Sequence, residues 1–438
     1  MKGIHMKISR IALGAIAVAT LALSGCAGTG SLSGSEAPAT NSDGTITLDF
    51  WSNHPANSKA LEEELIKRFE AANPDIKVKL TDAGKNYEEV AQKFNAALSG
   101  GQVPDVVIAS DVTWFNFALN DQLEPLDDLL KNNDGNPDDY VPNLYDEYEF
   151  NGSHFAVPYS RSTPLFYYNK EMWKAAGLPD RGPKDWNEWN DDFAPKLKAA
   201  NAGVTPLIIP DGSNYMDWYF QGMIWSLGGA YSKDWEMTMS SPESIKAGEF
   251  LQKQFQEGNF KAAKDATAPF VAGQAAAMLE STGSLKGVAK DGKIDVATAF
   301  LPSPEGVIGC STGGAGLAVP KKSAKKEAAA KFIGFITNPE NTVYFSQNTG
   351  YMPVRTSAKE LPEVQKYFEE NPNFKVAVEQ LAHTQKQDVA RAFVSGGGMR
   401  IGAALDKISQ GADVQATFAE IDRTQQEMID SQIKPKLK

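Results

Sequence analysis

The stretch Val157-Pro-Tyr-Ser-Arg-Ser-Thr-Pro-Leu-Phe-Tyr-Tyr-Asn169 decides the fold. Pro158 and Pro164 lock their own φ and push the residues before them out of the helical region, while Thr163, Phe166, Tyr167 and Tyr168 favour strand. The segment therefore reads as extended, with a polar tip of Ser160, Arg161, Ser162 and Thr163 held between two prolines. One run of alternating strands and helices precedes it and a second follows, so it reads as a crossover between two lobes.

Upstream, Thr45–Trp51 alternates as a strand, and a helix from about Asn57 to Ala72 carries Leu61, Leu65, Ile66 and Phe69 on one face. Ile76–Leu80 reads as a strand, Tyr87–Leu98 as a helix stopped by Gly100-Gly101, and Asp105–Ser110 as a short, fully buried strand. Such alternation predicts an α/β fold with a parallel sheet covered on both faces. Ligands in such sheets meet the loops at the carboxyl ends of strands, which here carry Tyr87, Asp111 and Trp114.

Downstream, Lys170–Ala176, Trp186–Ala200 and Pro242–Phe255 read as helices. Tyr215 and Trp218 follow the turn residues Asp211-Gly-Ser-Asn214 and are candidates for aromatic plates facing a cleft. Glu280-Ser-Thr-Gly-Ser284 is a polar loop able to present backbone N–H groups to an anion. Val296–Leu301 reads as a strand at a second crossover, and Asn348-Thr-Gly-Tyr-Met-Pro-Val354 as a third. The expected lobes are 45–157 with 302–350, and 158–301 with 351–438.

Two motifs point elsewhere and fail on their context. Gly309-Cys-Ser-Thr-Gly313 matches the nucleophile-elbow pattern, yet Gly314–Val319 reads as a strand where an elbow needs a helix. Asp134-Gly-Asn-Pro-Asp138 has the oxygens of a calcium loop without the spacing or terminal Glu of one. The Gly313-Gly314 pair reads instead as backbone allowed close to a ligand.

At 438 residues the chain exceeds one comfortable core. With 55 Asp and Glu against 43 Lys and Arg, a nucleic-acid role is disfavoured. His5, His54, His154 and His383 are too scattered to suggest a metal site. Lys2, Lys7 and Arg10 make a basic start before the apolar run Ile11–Leu23, which is too short for a permanent span. Leu23-Ser-Gly-Cys26 then looks like a bacterial lipobox, so 1–25 is expected to be a signal peptide and Cys26 the lipidated first residue. Residues 26–44, rich in Gly, Ser, Thr, Ala and Pro, read as a tether. Cys310 is the only other cysteine, which leaves no disulfide framework.

Together these segments resemble the extracellular solute-binding proteins of ABC importers, the class that includes the maltose-binding type. The likeness runs from Thr45 to the C-terminus and is strongest at Ser162–Glu171, Thr282–Leu285, Gly313-Gly314, Thr349–Pro353 and Gly398–Gly402. Within the class it favours binders of glycerol-3-phosphate and glycerophosphodiesters. The resemblance implies a two-lobe periplasmic-binding-protein fold of the maltose-binding type, with three crossovers. It also implies a lipid-anchored monomer on the outer face of the cell membrane, serving ABC permease subunits, with no cofactor, metal or catalysis. Carried over, the ligand contacts are Tyr87, Asp111, Ser162, Trp218, Ser281 or Ser284, Gly314, Tyr351 and Arg400. Asp111 stands where the family has Glu, and Arg161 where a small polar residue is commoner. An oligosaccharide binder of the same fold, and a secreted glycosidase or esterase, are the competing readings.

Overall fold

The computed structural model describes residues 40–437 apart from 292–293. The expected signal segment, Cys26 and most of the tether lie outside the described residues, among which no helix is long and apolar enough to cross a membrane.

The first lobe opens with β1 (Ile46–Ser52), α1 (Lys59–Ala72), β2 (Ile76–Asp82), α2 (Tyr87–Gly100), β3 (Val106–Ser110) and α3 (Trp114–Leu119). The deciding stretch splits into β4 (Val157–Ser162) and β5 (Pro164–Asn169), every residue of both being buried. The second lobe continues with β6 (Thr205–Pro210), α4 (Met216–Ser226), α5 (Pro242–Gln256), β7 (Phe260–Ala263), β8 (Ala275–Ser281) and β9 (Val296–Ala299). The chain then returns for β10 (Gly313–Ala318), α6 (Lys326–Ile336) and α7 (Pro339–Thr349), and ends with α8 (Gly397–Ser409) and α9 (Val414–Met428).

Each lobe holds a five-stranded sheet, ordered β2-β1-β3-β10-β4 in the first and β7-β6-β8-β5-β9 in the second. Neither is wholly parallel as the alternation predicted. The local β-α-β units pair in parallel, but β10 runs antiparallel to both β3 and β4, and β5 antiparallel to both β8 and β9. The reason lies in the crossovers, which bring these strands in from the other lobe rather than through a local helix.

Strand pairing also moves the lobe boundaries. Val157–Ser162 pair with β10 and so belong to the first sheet, which makes Thr163 the first crossing rather than Val157. Leu301 and Cys310 pack in the second lobe's core, carrying the second crossing to Ser311 and Thr312. Met352 and Val354 remain in the first lobe's core, and Ile429 and Ile433 return to it beyond α9. The helix expected over Trp186–Ala200 forms with a π turn at Trp189–Phe193 inside it.

Candidate ligand cleft between the lobes

The carboxyl ends of the strands and the crossovers meet at one place, and most of the predicted residues converge there. Asn86 caps α2 by accepting the Glu89 N–H at 2.9 Å, which sets Tyr87 at the first helical position with its hydroxyl 3.3 Å from Ser160 Oγ. Desolvation pushes the Tyr87 hydroxyl up to about 12. Asp111 follows the fully buried β3, and its N–H donates to Gly314 O at 2.9 Å. Ser162 is buried at the end of β4, opposite Gly313.

From the second lobe, Trp218 lies in the first turn of α4 and donates its indole N–H to Thr312 O at 3.0 Å. The two glycines of β10 are explained by protein rather than ligand: a Cβ on Gly313 would lie 2.6 Å from the Trp218 ring, and one on Gly314, at φ 101°, 2.1 Å from Ser160 O. Ser281 Oγ accepts the Gly283 N–H at 3.1 Å, and Ser284 closes the single turn Thr282–Ser284 that follows. Tyr351 stacks on Phe345 and presses on Gly283, where a Cβ would come within 3.1 Å of its ring. The polar loop is thus consumed largely by its own bonds.

Arg400 stands apart. It sits in the first turn of α8, half-buried, with Nη2 donating to Ser395 O at 2.7 Å, and its side chain bonds to none of the other predicted residues. The buried guanidinium of the cleft is Arg391, 3% exposed, with Nε 2.7 Å from Asp217 Oδ2 and Nη1 3.6 Å from Asp111 Oδ2. Gln387 joins them, accepting from Arg391 and donating to Asp111. Desolvation raises the Asp217 carboxyl, opposed by Arg391 beside it. Arg391 and Asp217 escaped the sequence reading, but both carry a readable signal: each is a lone charge inside an apolar run, Val389–Val394 and Tyr215–Phe220.

Glu280 is a further carboxylate, part-buried near the end of β8, accepting the Tyr219 hydroxyl at 2.9 Å and the Ser281 N–H at 2.7 Å. Desolvation raises it as well. Between the lobes lies a cavity of about 870 Å³, lined by Glu88 and Asn116 from one side and Tyr215, Asp217, Arg391 and Met399 from the other. Tyr215 reaches across it, its hydroxyl 3.3 Å from Glu88 Oε1. Its backbone is in the left-handed region at φ 72°, an unusual conformation for an aromatic residue.

The two rejected motifs are resolved by their surroundings. Ser311 is buried at a strand start with no helix behind it. In the 134–138 loop the carbonyls of Gly135 and Asn136 accept from the Arg355 guanidinium, which takes the place of a cation.

A two-lobe α/β molecule with a polar cleft at the strand ends and three crossovers beneath it is built to enclose a small solute. Residues 64–388 match the description of a bacterial extracellular solute-binding protein, and the chain belongs to that family. It is similar to the sn-glycerol-3-phosphate-binding periplasmic protein UgpB of Escherichia coli strain K12, 28% identical over 402 residues that cover 87% of this chain and 86% of that protein. It is also similar to UgpB from Mycobacterium tuberculosis, whose crystal structure is in complex with glycerophosphocholine. That likeness has a TM-score of 0.85 and 47% identity, over 89% of this chain and 100% of the other. Maltose-bound MalE3 of T. maritima, at 20% identity and a TM-score of 0.75 over 87% of this chain and 99% of that one, shares the fold.

Proposed function

We propose that the chain is the substrate-binding subunit of an ABC importer, and that it captures a glycerophosphodiester between its lobes and hands it to the permease without chemical change. The observation that carries the choice of ligand is the charge of the cleft. Asp111 and Asp217 flank the buried guanidinium of Arg391, and Glu88 lines the same cavity as Arg391 and Asp217. A phosphomonoester brings about −1.5 to −2 charge at neutral pH into this acidic surrounding. A phosphodiester brings a single negative charge, matched by a single Arg fork. The UgpB complex with glycerophosphocholine supports the same class.

In this reading Arg391, Ser162 and Ser281 hold the phosphate, Asp111 and Tyr87 accept and donate to glycerol hydroxyls, and Trp218 and Tyr351 supply apolar faces. Gly314 fixes Asp111 through its carbonyl, and Arg400, bonded to Ser395 O, takes no part in holding the phosphate. Lipid on Cys26 holds the monomer at the outer face of the membrane. The Cys26→Ala protein is expected to lose its detergent-sensitive partition with membranes; unchanged partition removes the anchor.

Calorimetric titration with glycerophosphocholine, sn-glycerol-3-phosphate and maltose tests the ligand. We expect the diester to bind most tightly and maltose not at all. Maltose binding without diester binding would transfer the chain to the oligosaccharide binders of the same fold.

A further inference from the structure

Arg161 is completely buried on β4, on the face opposite Ser160 and Ser162. Its Nη1 donates to Tyr148 Oη at 2.8 Å and its Nη2 to Thr312 Oγ1 at 3.0 Å, while Nη2 also pairs with Glu147. Thr312 closes the ring by donating to Glu147 Oε1 at 2.5 Å. The carbonyl of Arg161 accepts the Met352 N–H at 2.8 Å. Arg161 stands at the first-lobe end of the first crossing, just before Thr163, while Thr312 lies on the second and Met352 on the third, so a single residue ties all three together. Just beyond it, Thr163 Oγ1 donates to Ser311 O at 3.0 Å and accepts from Gln380 Nε2 at 3.0 Å, tying the first two crossings again on the second lobe's side.

A buried ion pair adds little stability over apolar groups of the same shape, so a network of this kind is better explained by the geometry it specifies. We infer that Arg161, with Glu147 and Thr312, is a positioning residue for solute capture. It clamps the first-lobe ends of the three crossovers into one seat, so that the lobes move as two bodies about Thr163 and Ser311. Affinity for an enclosed solute includes the free energy of reaching the closed arrangement. A residue that acts on this step changes the affinity for every solute by the same factor, whereas a contact residue discriminates between solutes.

The test rests on the proposed function only for its choice of solutes. Thr312→Val removes the bridging hydroxyl at constant shape, and the double variant Glu147→Gln with Arg161→Met replaces the ion pair by neutral groups of similar size. Titration of each with glycerophosphocholine and sn-glycerol-3-phosphate is expected to show equal losses for the two solutes, about tenfold in the double variant. Small-angle scattering of the solute-free double variant is expected to give a larger radius of gyration than the unaltered protein. Unchanged affinities, or unequal losses between the solutes, would overturn the inference. If the unaltered protein bound neither solute, the ligand class would fall and scattering alone would decide, with superimposable curves overturning the clamp. Thr312→Val keeps both measurements open if the double variant does not fold.

Discussion

At the scale of single residues, two arginines offered for the phosphate differ in their surroundings. Arg391 is buried between two carboxylates and lines the cavity, and Arg400 is tied to its own loop and does not. Arg391→Lys keeps the charge but loses the planar fork, so glycerophosphocholine affinity is expected to fall about tenfold or more. Arg400→Ala is expected to change it less than about threefold, in keeping with the 0 to 1 kcal/mol of an exposed ionic contact. Titration of both variants checks this, and the reverse order would return the phosphate to Arg400. Gly313→Ala inserts a methyl 2.6 Å from Trp218 and is expected to lower stability by about 1–3 kcal/mol, read from denaturant unfolding. Tyr87, Asp111 and Trp218 were legible because each follows a strand end or turn that local chemistry marks. Arg391 was only half legible: the apolar run Val389–Val394 around it hints at burial, but the carboxylates of Asp111 and Asp217 that pack against it come from far away in the chain and no neighbour names them.

At the scale of elements, the loop between β1 and α1 is closely constrained. His54, Ala56 and Asn57 all take positive φ, and His54 Nδ1 lies 2.5 Å from Glu62 Oε2, whose other oxygen accepts from Ser52 at 2.8 Å. The hydrogen bond to Glu62 raises the His54 imidazole above its ordinary value, against partial desolvation. A raised folded value means that the stabilisation is fully present below the ordinary value near 6.5 and is lost as pH rises through the raised one. The midpoint of thermal unfolding is therefore expected to fall across that interval, and Glu62→Gln to flatten the dependence. An unchanged slope in the variant would assign the pH dependence to other groups. The end of α2 was readable from the stop Gly100-Gly101, but the antiparallel β10 was not. Strand partners are chosen across more than a hundred residues, and no local pattern in Gly313–Ala318 names them.

At the scale of the whole molecule, neither lobe is a continuous piece of chain. The first sheet takes β10 from beyond the second lobe, and Ile429 and Ile433 bring the C-terminal segment into the first lobe's core. Each lobe's core is therefore completed by segments that leave from the other, and loss of one removes anchors from both. Calorimetry is expected to show one cooperative unfolding transition rather than two. A solute held by Asp111 and Tyr87 from one lobe and Trp218 and Arg391 from the other binds only when both are folded. At a hundred times its dissociation constant it adds about 2.7 kcal/mol to the folded state. Glycerophosphocholine is thus expected to move the single transition upward as a unit, with maltose leaving it in place. Two resolved transitions, only one of them shifted by the solute, would show that the lobes fold independently and that a single lobe holds the ligand.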